Sequence, residues 1–191
     1  IEDLPDLDSD DSQYEVVELA DVVNYCSNLV DPQKEPEKTY RLIELSDVKK
    51  DAGGITNIQK KKGREIGSNK REFTDEHVLY CKLRPYLNKV VRPSFSGIAS
   101  SELLVLEPTN RITRDYLYFY LSSSMVRNKA EFLMKGANQP RLSKKELMSF
   151  NIPVPSIEEQ ETIVGNIKRV KSGKLNTAVS DVDGLFEEYR N

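Results

Sequence analysis

The chain has 191 residues, with 28 Lys+Arg, 31 Asp+Glu, one His and two Cys, a formal net charge of −3 and a hydrophobic share of 38% that includes nine Tyr and six Phe. That apolar share is enough for a core and argues against wholesale disorder. No apolar run, the clearest being Leu103-Leu104-Val105-Leu106, approaches the roughly 18 residues of a membrane span. The small net charge hides a split. Residues 1–33 hold ten acidic side chains and no Lys or Arg, residues 34–157 hold 23 basic against 14 acidic, and residues 158–191 hold five against seven. The basic middle keeps a polyanionic partner open, where net charge alone argues against one.

In chain order, residues 1–13 are acidic and turn-rich and read as a flexible leader. Residues 14–23, with Val16, Val17, Leu19, Val22 and Val23, are expected to form a strand running into a short helix. Residues 28–38, broken by Pro32 and Pro36, read as a loop. Residues 40–45 alternate as a strand, and Ser46-Asp47-Val48 with Gly53-Gly54 turns the chain. Residues 59–71 hold six basic residues and two glycines with almost no apolar content, which predicts an exposed loop. Residues 77–83 form a strand candidate, residues 84–89 and 93–97 read as turns around Val90-Val91, and residues 99–106 are the most strand-like run.

Thr113 then caps a helix from Tyr116 to about Met134, with Ser122-Ser123-Ser124 as its point of interruption. Residues 135–141 are a loop punctuated by Gly136 and Pro140. Ser143-Lys144-Lys145-Glu146 is a capping box that opens a short helix. Residues 152–155 are extended, because each proline restricts its predecessor. A second capping box, Ser156 to Glu159, opens a long helix. Its stripe of Ile163, Ile167, Val170, Leu175, Ala178, Val182, Leu185 and Tyr189 is narrow and flanked by charge, which suits another helix rather than the chain's own core. Gly165, Gly173 and Gly184 weaken that helix by about 1 kcal/mol each. The expected fold is α+β: a leader over residues 1–13, a globular mixed sheet-and-helix domain over 14–155, and one long C-terminal helix over 156–191.

Catalytic chemistry has little to stand on. His77, the one histidine, follows Thr74-Asp75-Glu76 and is expected in a surface or capping role. Gly53-Gly54 lacks the Lys-Ser/Thr of a phosphate loop, and no Ser lies in an elbow motif. No acidic pair sits with a Lys as nucleases arrange them, and the Asp/Asn-Pro-Pro-aromatic tetrapeptide of amino methyltransferases is absent. No catalytic site, metal or cofactor is expected. Cys26 and Cys81 are far apart and read as free thiols of a reducing, cytoplasmic compartment.

The basic middle is more informative. Lys60, Lys61, Lys62, Arg64, Lys70 and Arg71 crowd one run; Arg84, Tyr86 and Lys89 lie on one turn, and Lys135, Asn138, Gln139 and Arg141 on another. Arg, Asn and Gln read base edges, while Lys mostly neutralises phosphates. A solvated loop for the 60–71 run, a salt bridge at Arg84 and an ordinary helix-terminating loop at 136–141 stay open as alternatives.

The segment Lys135-Gly136-Ala137-Asn138-Gln139-Pro140-Arg141-Leu142-Ser143, with Leu147, Asn151-Ile152-Pro153-Val154-Pro155-Ser156-Ile157-Glu158-Glu159-Gln160 and Ile163, resembles the specificity subunits of type I restriction–modification systems. Upstream, residues 78–89, 97–106, 116–121 and 14–23 resemble that family's pieces in the right order. The resemblance implies a non-enzymatic reader of double-stranded DNA. Each domain takes one half of a split target, and long helices set the spacing between halves. Adenine-N6 methyltransferase and restriction subunits assemble on this frame, and the S-adenosylmethionine belongs to the former. It makes Lys60, Lys61, Lys62, Arg64, Lys70, Arg71, Arg84, Tyr86, Lys89, Asn138, Gln139 and Arg141 candidate DNA contacts. Ile163, Ile167, Val170, Leu175, Val182, Leu185 and Tyr189 become a helix interface, suited to a homodimer. A full specificity subunit has two such domains and two such helices, so the chain, which starts without Met, reads as a natural half-subunit, an excised fragment or the recognition tail of a longer methyltransferase. A protein–protein module acting through the C-terminal helix is the alternative of another class.

Overall fold

The run Leu103-Leu104-Val105-Leu106 shows no polar alternation because both of its faces are covered. The structure, a computed structural model, describes residues 14–172. In it this run belongs to β10 (Leu103–Pro108), a central strand of a four-stranded sheet ordered β2-β10-β7-β8, with β2 at Val23–Cys26, β7 at Val78–Cys81 and β8 at Val90–Val91. The strands are antiparallel, and the register sets Leu103 against Cys81 and Leu106 against Val78. Side chains of a strand alternate between faces, and the two core clusters follow that alternation. Val78, Tyr80, Leu104 and Leu106 join the helices on one side, while Leu79, Cys81, Leu103 and Val105 join a second sheet on the other.

That second sheet is five-stranded and ordered β3-β6-β9-β4-β5, with β3 at Leu29–Val30, β4 at Thr39–Ile43, β5 at Gln59–Lys62, β6 at Lys70–Phe73 and β9 at Gly97–Ala99. It is mixed, since β4 and β9 run parallel. Ile43, Phe73 and Ala99 face the four-stranded sheet, and Tyr40, Leu42, Ile66 and Ile98 form a small cluster of their own. Fully burying a Leu or Ile contributes about 1.5–3 kcal/mol, so the doubly covered central strands carry much of the stability.

On the helical side α1 (Arg114–Ser122) and α2 (Ser124–Leu133) part at Ser123. The Ser123 hydroxyl donates to the Tyr120 carbonyl (2.7 Å) and accepts from the Val126 N–H (3.3 Å), closing one helix while opening the next. The break expected at the serines is therefore real, and its cause is a cap shared by two helices. Both capping boxes also form: Ser143–Glu146 opens α3 (Lys144–Met148), and Ser156–Glu159 opens α4 (Ile157–Lys171). Between them β11 (Asn151–Pro153) is extended and pairs with β1 (Val16–Glu18), antiparallel, in a separate two-stranded sheet.

Three expectations are corrected. Residues 28–38 include β3 and a short 3-10 turn, Pro32–Lys34. Residues 59–71 are not a loop: they form β5, a 3-10 turn at Gly63–Glu65 and the start of β6. Gly63 is needed there, because a Cβ would stand 2.1 Å from the Pro32 carbonyl oxygen. The stripe on α4 does not wait for another helix, since Ile163 and Ile167 are buried in the domain's own core and Val170 packs against it. Gln160, fully buried, explains why. Its side-chain oxygen accepts from the Thr113 N–H (2.7 Å), and its amide nitrogen donates to the Arg111 and Pro155 carbonyls (2.9 Å each). Two of these bonds fasten α4 to the start of α1 and the third holds the segment leading into α4, and the packed unit runs past residue 155 to at least Ile167. Leu175, Val182, Leu185 and Tyr189, like the leader at 1–13, lie outside the described residues.

Candidate nucleic-acid interface

The candidate loops meet beyond the end of β7. Leu142 N–H donates to the Lys82 carbonyl (3.0 Å) and Arg84 N–H to the Pro140 carbonyl (2.7 Å), which sets residues 135–141 beside the Arg84 turn. The 135–141 loop is closed by two reciprocal backbone bonds between Lys135 and Arg141, each 2.9 Å. Its tight start uses Gly136 at φ +106°, a left-handed conformation that glycine adopts without strain. Asn138 and Gln139 project from a backbone thus held at both ends, and both are exposed. Arg84 is itself left-handed (φ 51°) ahead of the 3-10 turn Pro85–Leu87, on which Tyr86 is partly exposed. The salt bridge considered for Arg84 does not form among the described residues.

Carboxylates hold two cations of this loop. Arg141 Nε donates to Glu102 (3.1 Å) and its Nη2 to the Gln139 side-chain oxygen (3.1 Å), while Lys135 pairs with Glu146 at 3.1 Å. Hydrogen bonds from Ser143, hydroxyl then backbone, and from Lys135 pull the Glu146 carboxyl down to about 2. Glu146 is therefore ionised at any ordinary pH.

The other candidates separate into different situations. β5 is an edge strand, and lysines on an edge discourage pairing with a second chain. Lys60 and Lys61 have no carboxylate partner among the described residues, whereas Lys62 (2.8 Å) and Arg64 both pair with Glu37. Lys70 is corrected from contact to structure: it is only 7% exposed and donates to Glu44 (2.6 Å) and to the Ser68 hydroxyl (3.1 Å). Lys89 is likewise partly buried and donates to the Leu45 carbonyl at 2.6 Å. His77 is buried rather than on the surface; its Nδ1 accepts from the Thr74 N–H (2.8 Å), the capping half of its expected role. Desolvation is the main reason that its pKa falls. Cys26 and Cys81 are free thiols.

Beside the loop lies an open cleft of about 570 Å³, lined among others by Tyr25, Arg71, Lys82, Lys135, Arg141 and Lys144. Arg71 on β6 lies over the Tyr25 ring of β2 at 5.3 Å, bridging the two sheets, and Lys144 at the start of α3 lies over the same ring at 4.6 Å. Tyr25, Lys82 and Lys144 carry no motif that marks them. Lys144 sits inside a capping box and reads as a helix start; only its place next to the basic loop could have drawn notice.

Exposed loops and cations gather around this cleft. Among the described residues no group of three His, Cys, Asp or Glu is placed to hold a metal, and no helix is long and apolar enough to cross a membrane. Residues 11–178 match the type I restriction modification DNA specificity domain, and the chain belongs to that family. It is 24% identical over 128 residues to the specificity subunit of the type I restriction enzyme EcoDI of Escherichia coli; that stretch is 64% of this chain and 28% of the relative. Among solved structures it is similar to the HsdS subunit from Thermoanaerobacter tengcongensis, with a TM-score of 0.75 at 20% identity over 84% of this chain and 42% of that one. It is also similar to the type I S subunit from M. genitalium, with a TM-score of 0.57 at 10% identity over 86% and 40%. The chain thus spans less than half the length of these relatives, and the structural likeness establishes the fold.

Proposed function

We propose that the chain reads one half of a bipartite double-stranded DNA target for a type I-like restriction–modification system in the cytoplasm. It has no catalytic step of its own; adenine-N6 methyltransferase and restriction subunits that assemble with it supply the chemistry. The observation that carries this reading is the joint surface of the Arg84 turn and the 135–141 loop. Exposed amide and guanidinium groups there stand on backbone pinned by hydrogen bonds, and these groups can pair bidentately with adenine and guanine edges. Pre-positioned loops lose less entropy on binding than mobile ones. Lys60, Lys61 and Arg71 add positive charge, and Leu175, Val182, Leu185 and Tyr189 remain the residues we assign to a partner helix, a second copy included.

The reading is tested by titrating the chain with duplex DNA over a range of salt. Phosphate contacts make affinity fall steeply as salt rises, so a flat response overturns it. A protein–protein module acting through the helix predicts that alanine at Arg84 and Arg141 leaves DNA binding unchanged.

A further inference from the structure

Tyr25 holds two cations on one ring, Arg71 at 5.3 Å and Lys144 at 4.6 Å. The face of an aromatic ring attracts each cation, yet the two cations repel one another, and neither forms an ion pair with a carboxylate among the described residues. The Arg71 Nε is buried and has no hydrogen-bond partner, although buried donors in folded proteins are nearly always satisfied. Lys82, Lys135 and Arg141 line the same cleft. Their carboxylate partners are Glu102 and Glu146, so five cations face two carboxylates and a surplus of three positive charges remains. A surplus of this kind, gathered around an incompletely bonded guanidinium, is the complement of an anion.

The geometry points to this cleft as a seat for backbone phosphodiesters of the bound duplex. Arg71 and Lys144 each neutralise a phosphate there, and Tyr25 is the positioning residue that fixes both. The inference rests on the DNA reading above and deepens it. A phosphodiester offers unesterified oxygens to the planar fork of Arg71 and to the point charge of Lys144, and charge-assisted bonds of this type are the strong ones. The choice of a DNA backbone follows from the cleft's border. Lys135 and Arg141, which close the 135–141 loop, also line the cleft, so a strand whose bases meet Asn138 and Gln139 carries its phosphates across Arg71 and Lys144. Contacts of this kind fix register and orientation and carry no sequence information.

The test uses the full chain and a fluorescently labelled mixed-sequence duplex, with affinity measured at several salt concentrations. Lys144→Gln and Arg71→Gln are each expected to reduce the slope of log affinity against log salt by about 0.9, the loss of one phosphate contact, and to weaken binding equally for unrelated sequences. Lys144→Arg is expected to restore both. Because Arg71→Gln also removes a bridge between the sheets, thermal melting accompanies it, and the exposed Lys144 decides the outcome if Arg71→Gln unfolds. A Lys144→Gln protein that keeps the parent's steep slope and affinity overturns the phosphate seat and leaves the DNA reading standing. A loss confined to one sequence with an unchanged slope overturns it as well. A parent whose own response to salt is flat overturns both.

Discussion

Two basic regions of similar appearance in sequence end in different electrostatic states. Around β5, Lys62 and Arg64 share Glu37, which arrives from 25 residues away, and Lys70 is sealed against Glu44. Arg71, the residue after Lys70 on β6, instead converges with Lys144 on Tyr25, neither cation ion-paired among the described residues, and only part of the remaining charge in the cleft is matched by Glu102 and Glu146. The first region protects a sheet edge and ties strands together; the second presents unbalanced charge on a concave surface, where fields are focused. A count of lysines along the chain ranks the first region higher. What decides the potential at a surface is where the distant carboxylates land.

The largest effect that separates the two regions is expected at Arg141. Arg141→Ala should weaken binding to a duplex selected for tight binding by about 1–3 kcal/mol, roughly 5- to 150-fold, and relax discrimination at one base pair. Fluorescence anisotropy measures it, and an effect no greater than that of Arg64→Ala breaks the comparison. Lys70→Ala should act on folding instead. Removing one partner of a buried ion pair strands the other, but Glu44 is partly exposed, so a loss of about 1–3 kcal/mol is expected in urea unfolding. The folded fraction should bind DNA as before. Gly136→Ala forces a side chain into a left-handed conformation at the foot of the loop and should lower stability by about 1 kcal/mol. Its base preference should broaden, as read by competition between duplexes. Glu37→Gln releases Lys62 and Arg64 and should tighten binding to any duplex a few-fold at low salt, the gain fading as salt rises. The smallest effect belongs to Lys62→Gln, whose exposed pair is worth about 0–1 kcal/mol; its affinity should stay within about twofold of the parent's.

Elements set by neighbours in sequence were legible. The two capping boxes, the serine break between α1 and α2 and the extended prolines before α4 each depend on residues within a few positions. The membership of the family could be read from the Pro153-Val154-Pro155 to Glu159-Gln160 block, although the motif does not say what Gln160 does. Its role is a three-bonded anchor on backbone at Arg111, Thr113 and Pro155. Residues 59–71 resemble a loop because an edge strand paired to β4 needs few apolar side chains of its own; its order comes from the partner's hydrogen bonds. The α4 stripe misleads for a related reason. A narrow apolar row suits a second helix, and the helix that meets it, α1, belongs to the same domain. Tyr25, Arg71 and Lys144 come from three separate elements, and no local pattern announces a cleft assembled by tertiary folding.

The pairing of β1 with β11 has a consequence for engineering. Val16 lies opposite Pro153 and Glu18 opposite Asn151, and the Tyr14 hydroxyl donates to Glu159 at 3.3 Å. The strand that leads into the domain and the strand that leads out to α4 are therefore zipped to one another at a single doorway. A domain that is entered and left through one doorway behaves as a cassette. The unit to exchange for one of different loops runs from β1 through Ile167 of α4, because Gln160, Ile163 and Ile167 belong to the same packed body.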